Sequence, residues 1–243
     1  SNNTKKKLTM IIEDLGYNSE LEKYRKDLNL TSFEVGRVIA AHKDRYDIKT
    51  KDNEYNSELI GNLRFNSDTI YNLPFVGDWV AISEYDENKA LIHAVYPRQS
   101  ILERKAAGSK SKTQIIATNI DFALIMQSVN RDFNINRIER YLIICNASKI
   151  EPIVVLSKID LIEKYELENL LETINKRLKN ISIIALSNKS QIGLDKIKSK
   201  LKKGKTYCLL GSSGVGKSTL INNLIGKEIM KTGEISEGIG RGK

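Results

Sequence analysis

The sequence predicts an α/β protein with an added all-β domain, on three observations. A Gly-rich run, Gly211-Ser212-Ser213-Gly214-Val215-Gly216-Lys217-Ser218-Thr219, lies between an apolar strand and a helical segment. Upstream of it, apolar runs alternate with amphipathic stretches, the pattern of a parallel sheet covered by helices on both faces. Earlier still, short alternating runs separated by turn residues mark a small β unit.

Composition sets the outer limits. A chain of 243 residues with 40% hydrophobic content supplies cores for two modest domains. The net charge of +9 points to a polyanionic partner, with RNA or a ribosomal surface ahead of an anionic membrane. Cys145 and Cys208 stand in apolar stretches without paired spacing, which reads as two small buried residues in a reducing cytoplasm. No apolar run is long enough to cross a bilayer, so a soluble cytoplasmic protein is expected, with no membrane or DNA partner.

Taken in chain order, residues 1–32 form a helical lead-in. Ser1 to Lys7 read as a disordered basic tail, and Leu8, Ile11, Ile12, Leu15, Leu21, Tyr24 and Leu28 recur at helical spacing with a break at Gly16-Tyr17-Asn18. Residues 33–99 carry five predicted strands: 34–41, 45–50, 57–63, 78–83 and 91–96. Lys51-Asp52-Asn53, Asn66-Ser67-Asp68 and Asp86-Glu87-Asn88 are the turn signals between them. Five strands in so short a span suggest a closed barrel of the oligonucleotide-binding (OB) type, with an SH3-like barrel as the alternative. Residues 100–116 read as a basic linker, within a segment that carries Arg98, Arg104, Lys105, Lys110 and Lys112 around Gly108. From 117 to 243 the expected strands are 122–129, 152–157, 181–186 and 206–210, and the expected helices 135–146, 164–178 and 194–202.

The chemistry concentrates at the ends of these strands. In the Gly-rich run, backbone N–H groups of the turn and the helix N-terminus point at phosphates, Lys217 reaches the outer phosphates, and the Ser218 hydroxyl holds Mg²⁺. A Gly-rich turn before a helix is the plain alternative. Choosing the base needs a carboxylate, because guanine offers two N–H donors that adenine does not match. Ser157-Lys158-Ile159-Asp160, directly after the strand at 152–157, resembles the Asn-Lys-x-Asp signature with Ser in first place. Asp160 would read guanine and the Lys158 stem would lie along the base. Ser187-Asn188-Lys189 is similar to the Ser-Ala-Lys loop that backs the base through main-chain N–H groups, with Asn188 in the small-residue position. A charged surface turn remains the alternative for the first of these. Both fall at the C-terminal ends of strands, where open parallel sheets bind ligands. The order base reader, base backer, phosphate loop is a circular permutation of the usual GTPase order. The sheet accommodates it, since the site depends on which strands are neighbours.

With these motifs in place the chain resembles the ribosome small-subunit-dependent GTPase A family. Further matches are Gly36-Arg37-Val38, Val76-Gly77-Asp78-Trp79-Val80, Pro97-Arg98 with Leu102-Glu103-Arg104-Lys105, Ala117-Thr118-Asn119-Ile120-Asp121, and Phe133-Asn134 through Ile138-Glu139-Arg140-Tyr141-Leu142. The resemblance implies an OB-type barrel that binds ribosomal RNA, then a circularly permuted GTPase domain. It implies GTP or GDP with Mg²⁺ as ligands, the small (30S) ribosomal subunit and its 16S rRNA as partners, and a monomer. It also implies a zinc-binding C-terminal domain, which the 243 residues do not include, so no zinc ligand is expected in them. The chain is expected to stop within the first switch region at Gly240-Arg241-Gly242-Lys243. A site relying on Lys217 and Ser218 would then bind nucleotide but turn over weakly, the residue that positions the attacking water being unassigned. Two other readings compete: an RNA-binding module with a regulatory nucleotide site, and an ATP-using phosphate-loop enzyme.

Among the remaining residues, Trp79 has two readings, a base-stacking surface or core packing. Lys196, Lys198, Lys200, Lys202, Lys203 and Lys205 face either RNA or solvent. Arg98 and Arg104 are candidates for RNA contact, and His42 and His93 read as ordinary strand or turn residues.

Overall fold

A computed structural model describes residues 10–61, 63, 70–105, 113–130 and 133–230. The tail at 1–9, the Asn66–Asp68 turn, Lys110 and Lys112 of the linker, and the Gly240–Lys243 end lie outside the described residues. The chain divides into two compact units, Ser1–Ile120 with Lys203–Thr206, and Asp121–Lys202 with Tyr207–Lys243.

The first unit opens on a 3-10 turn, Ile12–Leu15, ended by Gly16 at a φ of +99°, and continues into helix α1, Ser19–Asp27. The Asn18 side chain caps α1 by accepting from the Glu20 and Leu21 amides at 3.1 Å each. Five strands follow: β1 (Glu34–Ala41), β2 (Tyr46–Lys49), β3 (Glu54–Leu59), β4 (Trp79–Asp86) and β5 (Lys89–Val95). They close in the order β1-β2-β3-β5-β4, with β3 and β5 parallel and the other pairs antiparallel. Val38, Tyr46, Ile48, Tyr55, Val80, Ile82, Ala90 and Ile92 fill the interior.

The third strand differs from its expected span of 57–63. It starts at Glu54, because a tight turn from Thr50 to Asn53 (amide to carbonyl, 2.9 Å) launches it directly from β2. Its outward Glu54, Asn56 and Glu58 conceal an inward alternation of Tyr55 and Ser57.

Trp79 is a core residue, 2% exposed and edge-on to Tyr17 at 5.2 Å between ring centroids, and it packs with Leu21, Val35 and Tyr96 beneath α1. It offers no stacking surface. The span read as a basic linker holds strand β6 (Ile101–Lys105) paired antiparallel with β7 (Thr113–Thr118). Arg98 is also not a surface contact. Its guanidinium donates to both oxygens of the fully buried Asp78 at 2.8 and 2.6 Å and to the carbonyls of Tyr71 and Leu73 at 2.7 Å. Asp78 also accepts from the Thr118 hydroxyl at 2.6 Å and the Phe75 amide at 2.8 Å, so this buried pair is fully satisfied and locks β4 to β7. Arg104 donates across the β6–β7 pair to Gln114 at 3.0 Å.

The second unit is a four-stranded parallel sheet in the order β10-β9-β8-β11, with β8 at Phe122–Ser128, β9 at Glu151–Ser157, β10 at Ser182–Leu186 and β11 at Tyr207–Leu210. Its helices are α2 (Ile135–Ala147), α3 (Lys164–Arg177), α4 (Leu194–Lys200) and α5 (Lys217–Ile225). β8 and β9 are buried almost throughout, the signature of strands covered on both faces. Leu124, Met126, Ile153, Val155, Ile184 and Leu186 pack with Leu194 and Ile197 of α4 and with Val215 and Leu220. Ile138, Leu142 and Cys145 form the buried stripe of α2, which packs on β8 and β9. Burial pushes the Cys145 thiol up to about 11 and that of Cys208 up to about 12, so both stay protonated and act as small apolar groups.

Candidate nucleotide site

The sheet register brings three loops to one end of the second unit. Ser128 pairs with Ser157 and Leu186 with Ser157, while Leu210 stands opposite Ile125 on β8. The segments after β9, β10 and β11 therefore leave the sheet at its C-terminal edge, side by side. These are Ser157–Asp160, Ser187–Lys189 and Gly211–Thr219.

Side chains then tie the loops to one another. The buried Ser157 hydroxyl donates to the Val215 carbonyl at 2.7 Å, joining the Ser157–Asp160 segment to the Gly-rich loop. That bond accounts for Ser in the first motif position: a hydroxyl is long enough to reach the loop. Lys158 takes the left-handed conformation, φ +62°, which turns the chain out of β9 into the short 3-10 turn Ile159–Leu161 and leaves Asp160 exposed. One Asp160 carboxylate oxygen accepts from the buried Ser187 hydroxyl at 2.6 Å, which holds the carboxylate against the Ser187–Lys189 loop. Asn188 donates its amide to the Gly216 carbonyl at 3.1 Å and is itself held by Asn223 of α5, whose amide reaches the Asn188 carbonyl at 3.2 Å. Asn188 at this position thus adds a brace between the Ser187–Lys189 loop and the helix that follows the Gly-rich loop. Lys189 is exposed on the same loop.

Within the phosphate loop, two glycines are required by geometry. A Cβ on Gly211 would lie 2.4 Å from the Met126 carbonyl at φ +148°, and one on Gly216 would lie 2.7 Å from the Asn188 amide at φ +96°. The Lys217 ammonium donates to the carbonyls of Gly211 at 2.8 Å and Ser212 at 2.6 Å, so it is held across the mouth of the loop. Burial lowers its pKa below the ordinary lysine value. Ser218 and Thr219 occupy the first turn of α5, whose N-terminal N–H groups face the loop side.

Three residues at this end escape the motif reading. Ser128 and Asn130, which hydrogen-bond to each other at 2.9 Å, follow β8, and Arg137 of α2 donates to the Ser212 hydroxyl at 3.0 Å. With Lys158 and Ser212–Val215 they line a polar cavity of about 190 Å³. The rule that ligands collect at C-terminal strand ends would have flagged Ser128 and Asn130. No local signal marks Arg137, which meets a residue 75 positions away.

A parallel sheet with a phosphate loop on its last described strand, behind an OB-ordered barrel, defines a circularly permuted phosphate-loop protein. The family model described as RsgA GTPase matches residues 95–243. The chain belongs to the RsgA GTPase family. It is 39% identical over 209 residues to the small ribosomal subunit biogenesis GTPase RsgA 2 of Lactiplantibacillus plantarum, covering 86% of this chain and 58% of that protein. It is 36% identical over 240 residues to the small ribosomal subunit biogenesis GTPase RsgA of Syntrophotalea carbinolica, covering 96% of this chain and 65% of that protein. The chain thus spans less than two thirds of the length of either relative.

Two solved structures share the fold. YjeQ from Thermotoga maritima superposes with a TM-score of 0.63 at 23% identity, over 79% of this chain and 64% of that one. YloQ, described as a circularly permuted GTPase, gives 0.61 at 26% identity, over 78% and 63%.

Proposed function

We propose that this protein binds GTP and GDP in the loop cluster of its second unit and, in its complete form, hydrolyses GTP as a cytoplasmic assembly factor for the small ribosomal subunit. The observation that carries this reading is the convergence of Ser157–Asp160, Ser187–Lys189 and Gly211–Thr219 at one sheet edge, tied by the Ser157–Val215, Ser187–Asp160 and Asn188–Gly216 bonds. The names of the relatives support the ribosomal part of it.

In this reading Asp160 accepts the two guanine N–H groups, with Ser187 holding the carboxylate in place. Lys158 lies along the base, and the main chain of Ser187–Lys189 closes behind it. Lys217 moves from the Gly211 and Ser212 carbonyls to the outer phosphates, a low-cost exchange of one set of oxygen acceptors for a charged one. The Arg137 guanidinium adds positive charge beside the loop through Ser212. The Ser218 hydroxyl, at the start of α5, fits a Mg²⁺ ion arriving with the triphosphate, and that ion supplies charge neutralisation. Residues that position the attacking water belong to parts of the protein outside those described. Among the described residues no group of three or more His, Cys, Asp or Glu side chains is placed to hold a metal, and no helix is long and apolar enough to cross a membrane. The wider functional picture includes contact with 16S rRNA and a monomeric protein.

Competition binding tests the central part. GTP and GDP should displace fluorescent GDP, ATP should not, and Asp160→Ala should erase that preference while leaving weak phosphate affinity. Displacement by ATP as effective as by GTP would overturn the guanine assignment. For the enzymatic part, the full-length protein should turn over GTP above background when small subunits are added.

A further inference from the structure

The barrel and the second unit distribute their charge in opposite ways. Residues 33–99, from which RNA binding is expected, carry eight Lys and Arg against eleven Asp and Glu, a net charge of −3 in a chain whose total is +9. On and around its β2–β3 face Arg45 and Lys49 stand beside carboxylates, and among the described residues Lys43 and Lys51 are exposed cations outside any ion pair. Arg45 lies 3.7 Å from Glu58, Lys49 lies 3.2 Å from Glu54, and His42 lies 2.9 Å from Asp47. That face is the one OB folds usually offer to nucleic acid, and here it belongs to a span in which acids outnumber bases.

The opposite holds on α4 and its exit. From Ser187 to Lys202 there are five lysines and one acid, Asp195. Lys196, Lys198, Lys200 and Lys202 are all exposed, and among the described residues none of them is in an ion pair. An ordinary solvated helix face does not look like this, as α3 in the same unit demonstrates: Lys164 pairs with Glu168, Lys176 with Glu172, and Arg177 with Glu139. On α4, Lys196 and Lys200 stand one turn apart with no carboxylate between them, an arrangement that repels unless an anion bridges it. The helix dipole favours cations only in the last turn and does not call for Lys196.

The backbone that carries them is also held in place. Leu194 and Ile197 anchor α4 in the core, and the Tyr207 hydroxyl donates to the Lys200 carbonyl at 2.8 Å while accepting from the Lys202 amide at 3.0 Å. Lys196 and Lys200 share one flank of the helix, Lys198 lies on the other and Lys202 follows its end, so the four unpaired cations surround the buried Leu194–Ile197 stripe and offer several charges to a polyanion. Ile192, 59% exposed, adds an apolar contact beside them.

We propose that Lys196, Lys198, Lys200 and Lys202 form the electrostatic anchor of this protein on the phosphate backbone of ribosomal RNA, and that the β2–β3 face of the barrel contributes little to the salt-dependent part of binding. The proposal rests on the reading of the protein as a small-subunit assembly factor, and names the surface through which the RNA is held.

Filter binding of labelled, protein-free 16S rRNA across a KCl series tests it, with Lys196→Gln/Lys198→Gln/Lys200→Gln/Lys202→Gln compared to Lys43→Gln/Arg45→Gln/Lys49→Gln. Each phosphate contact removed lowers the slope of log affinity against log salt by about 0.7–0.9, so the α4 variant, which removes four, should lose roughly 3–4 from the slope and the barrel variant less than about 1. Both variants should keep wild-type affinity for fluorescent GDP, which shows that the nucleotide unit is folded. An unchanged slope for the α4 variant, or a larger loss in the barrel variant, overturns the proposal. So does an effect confined to anionic phospholipid vesicles, or wild-type protein that does not bind the RNA at any salt. Failure of GTP to compete for the GDP site would instead strike the proposed function, leaving the slope comparison to judge the RNA surface separately.

Discussion

Two arginines, one in each unit, show how differently the first and second units use a guanidinium. Arg98 spends its donors on Asp78, Tyr71 and Leu73 and is sealed at 8% side-chain exposure. Arg137 makes its bond to Ser212 and borders an open polar cavity with Ser128, Asn130 and Lys158. A cation whose every donor is matched by protein serves the fold. One that borders an open cavity keeps donors free for whatever enters it, which under the proposed function is the nucleotide. A related contrast runs through the surfaces: Arg45, Lys49 and Lys89 of the barrel stand beside carboxylates, and among the described residues the lysines of α4 do not.

Breaking the sealed arginine should have the largest effect. Arg98→Ala leaves Asp78 charged and buried without its partner, and should destabilise the first unit by about 3–5 kcal/mol while leaving GDP affinity of the folded protein unchanged. Chemical denaturation followed by the single tryptophan, Trp79, reads this directly, since that ring is in the core of the first unit. In the second unit, Lys217→Ala should weaken GDP and GTP alike by about 3 kcal/mol, on the order of 100-fold, with the tryptophan transition unmoved. If either substitution shifted both readouts equally, the division of labour between the units would be wrong.

Ser157→Ala comes next. It removes the hydroxyl that satisfies the Val215 carbonyl and should cost about 1–3 kcal/mol, seen as weaker nucleotide binding without altered preference between GDP and GTP. The smallest effect belongs to Lys49→Gln. Its pairing with Glu54 is a surface one, and the substitution should change stability by less than about 1 kcal/mol with no effect on nucleotide affinity.

How much of this was legible in the sequence depended on range. The strands of the second unit read clearly because burial on both faces leaves an unbroken apolar run: 152–157 was expected against Glu151–Ser157, and 206–210 against Tyr207–Leu210. The barrel strand Glu54–Leu59 starts three residues before the expected 57–63 because its outward polar residues mask a one-sided alternation. The β6–β7 pair lies where charge and Gly content spoke for a linker, and its pairing is set by partners that local composition does not reveal. Among side chains, the motif residues announce themselves by type and spacing. Asp78 with Arg98, and Arg137 with Ser212, are contacts across 20 and 75 residues, and nothing local distinguishes the sealed arginine from the one beside the loop.

The central claim is that Asp160 reads the base of the same nucleotide whose phosphates rest on the Lys217 loop. Asp160→Asn tests it most directly, because an amide offers one acceptor and one donor where the carboxylate offers two acceptors, matching the edge of xanthine instead of guanine. Fluorescent GDP displacement by GDP and by xanthosine diphosphate should therefore reverse in order, with GDP losing about 10- to 200-fold and xanthosine diphosphate gaining. An Asp160→Asn protein that still prefers GDP at wild-type affinity would contradict the account.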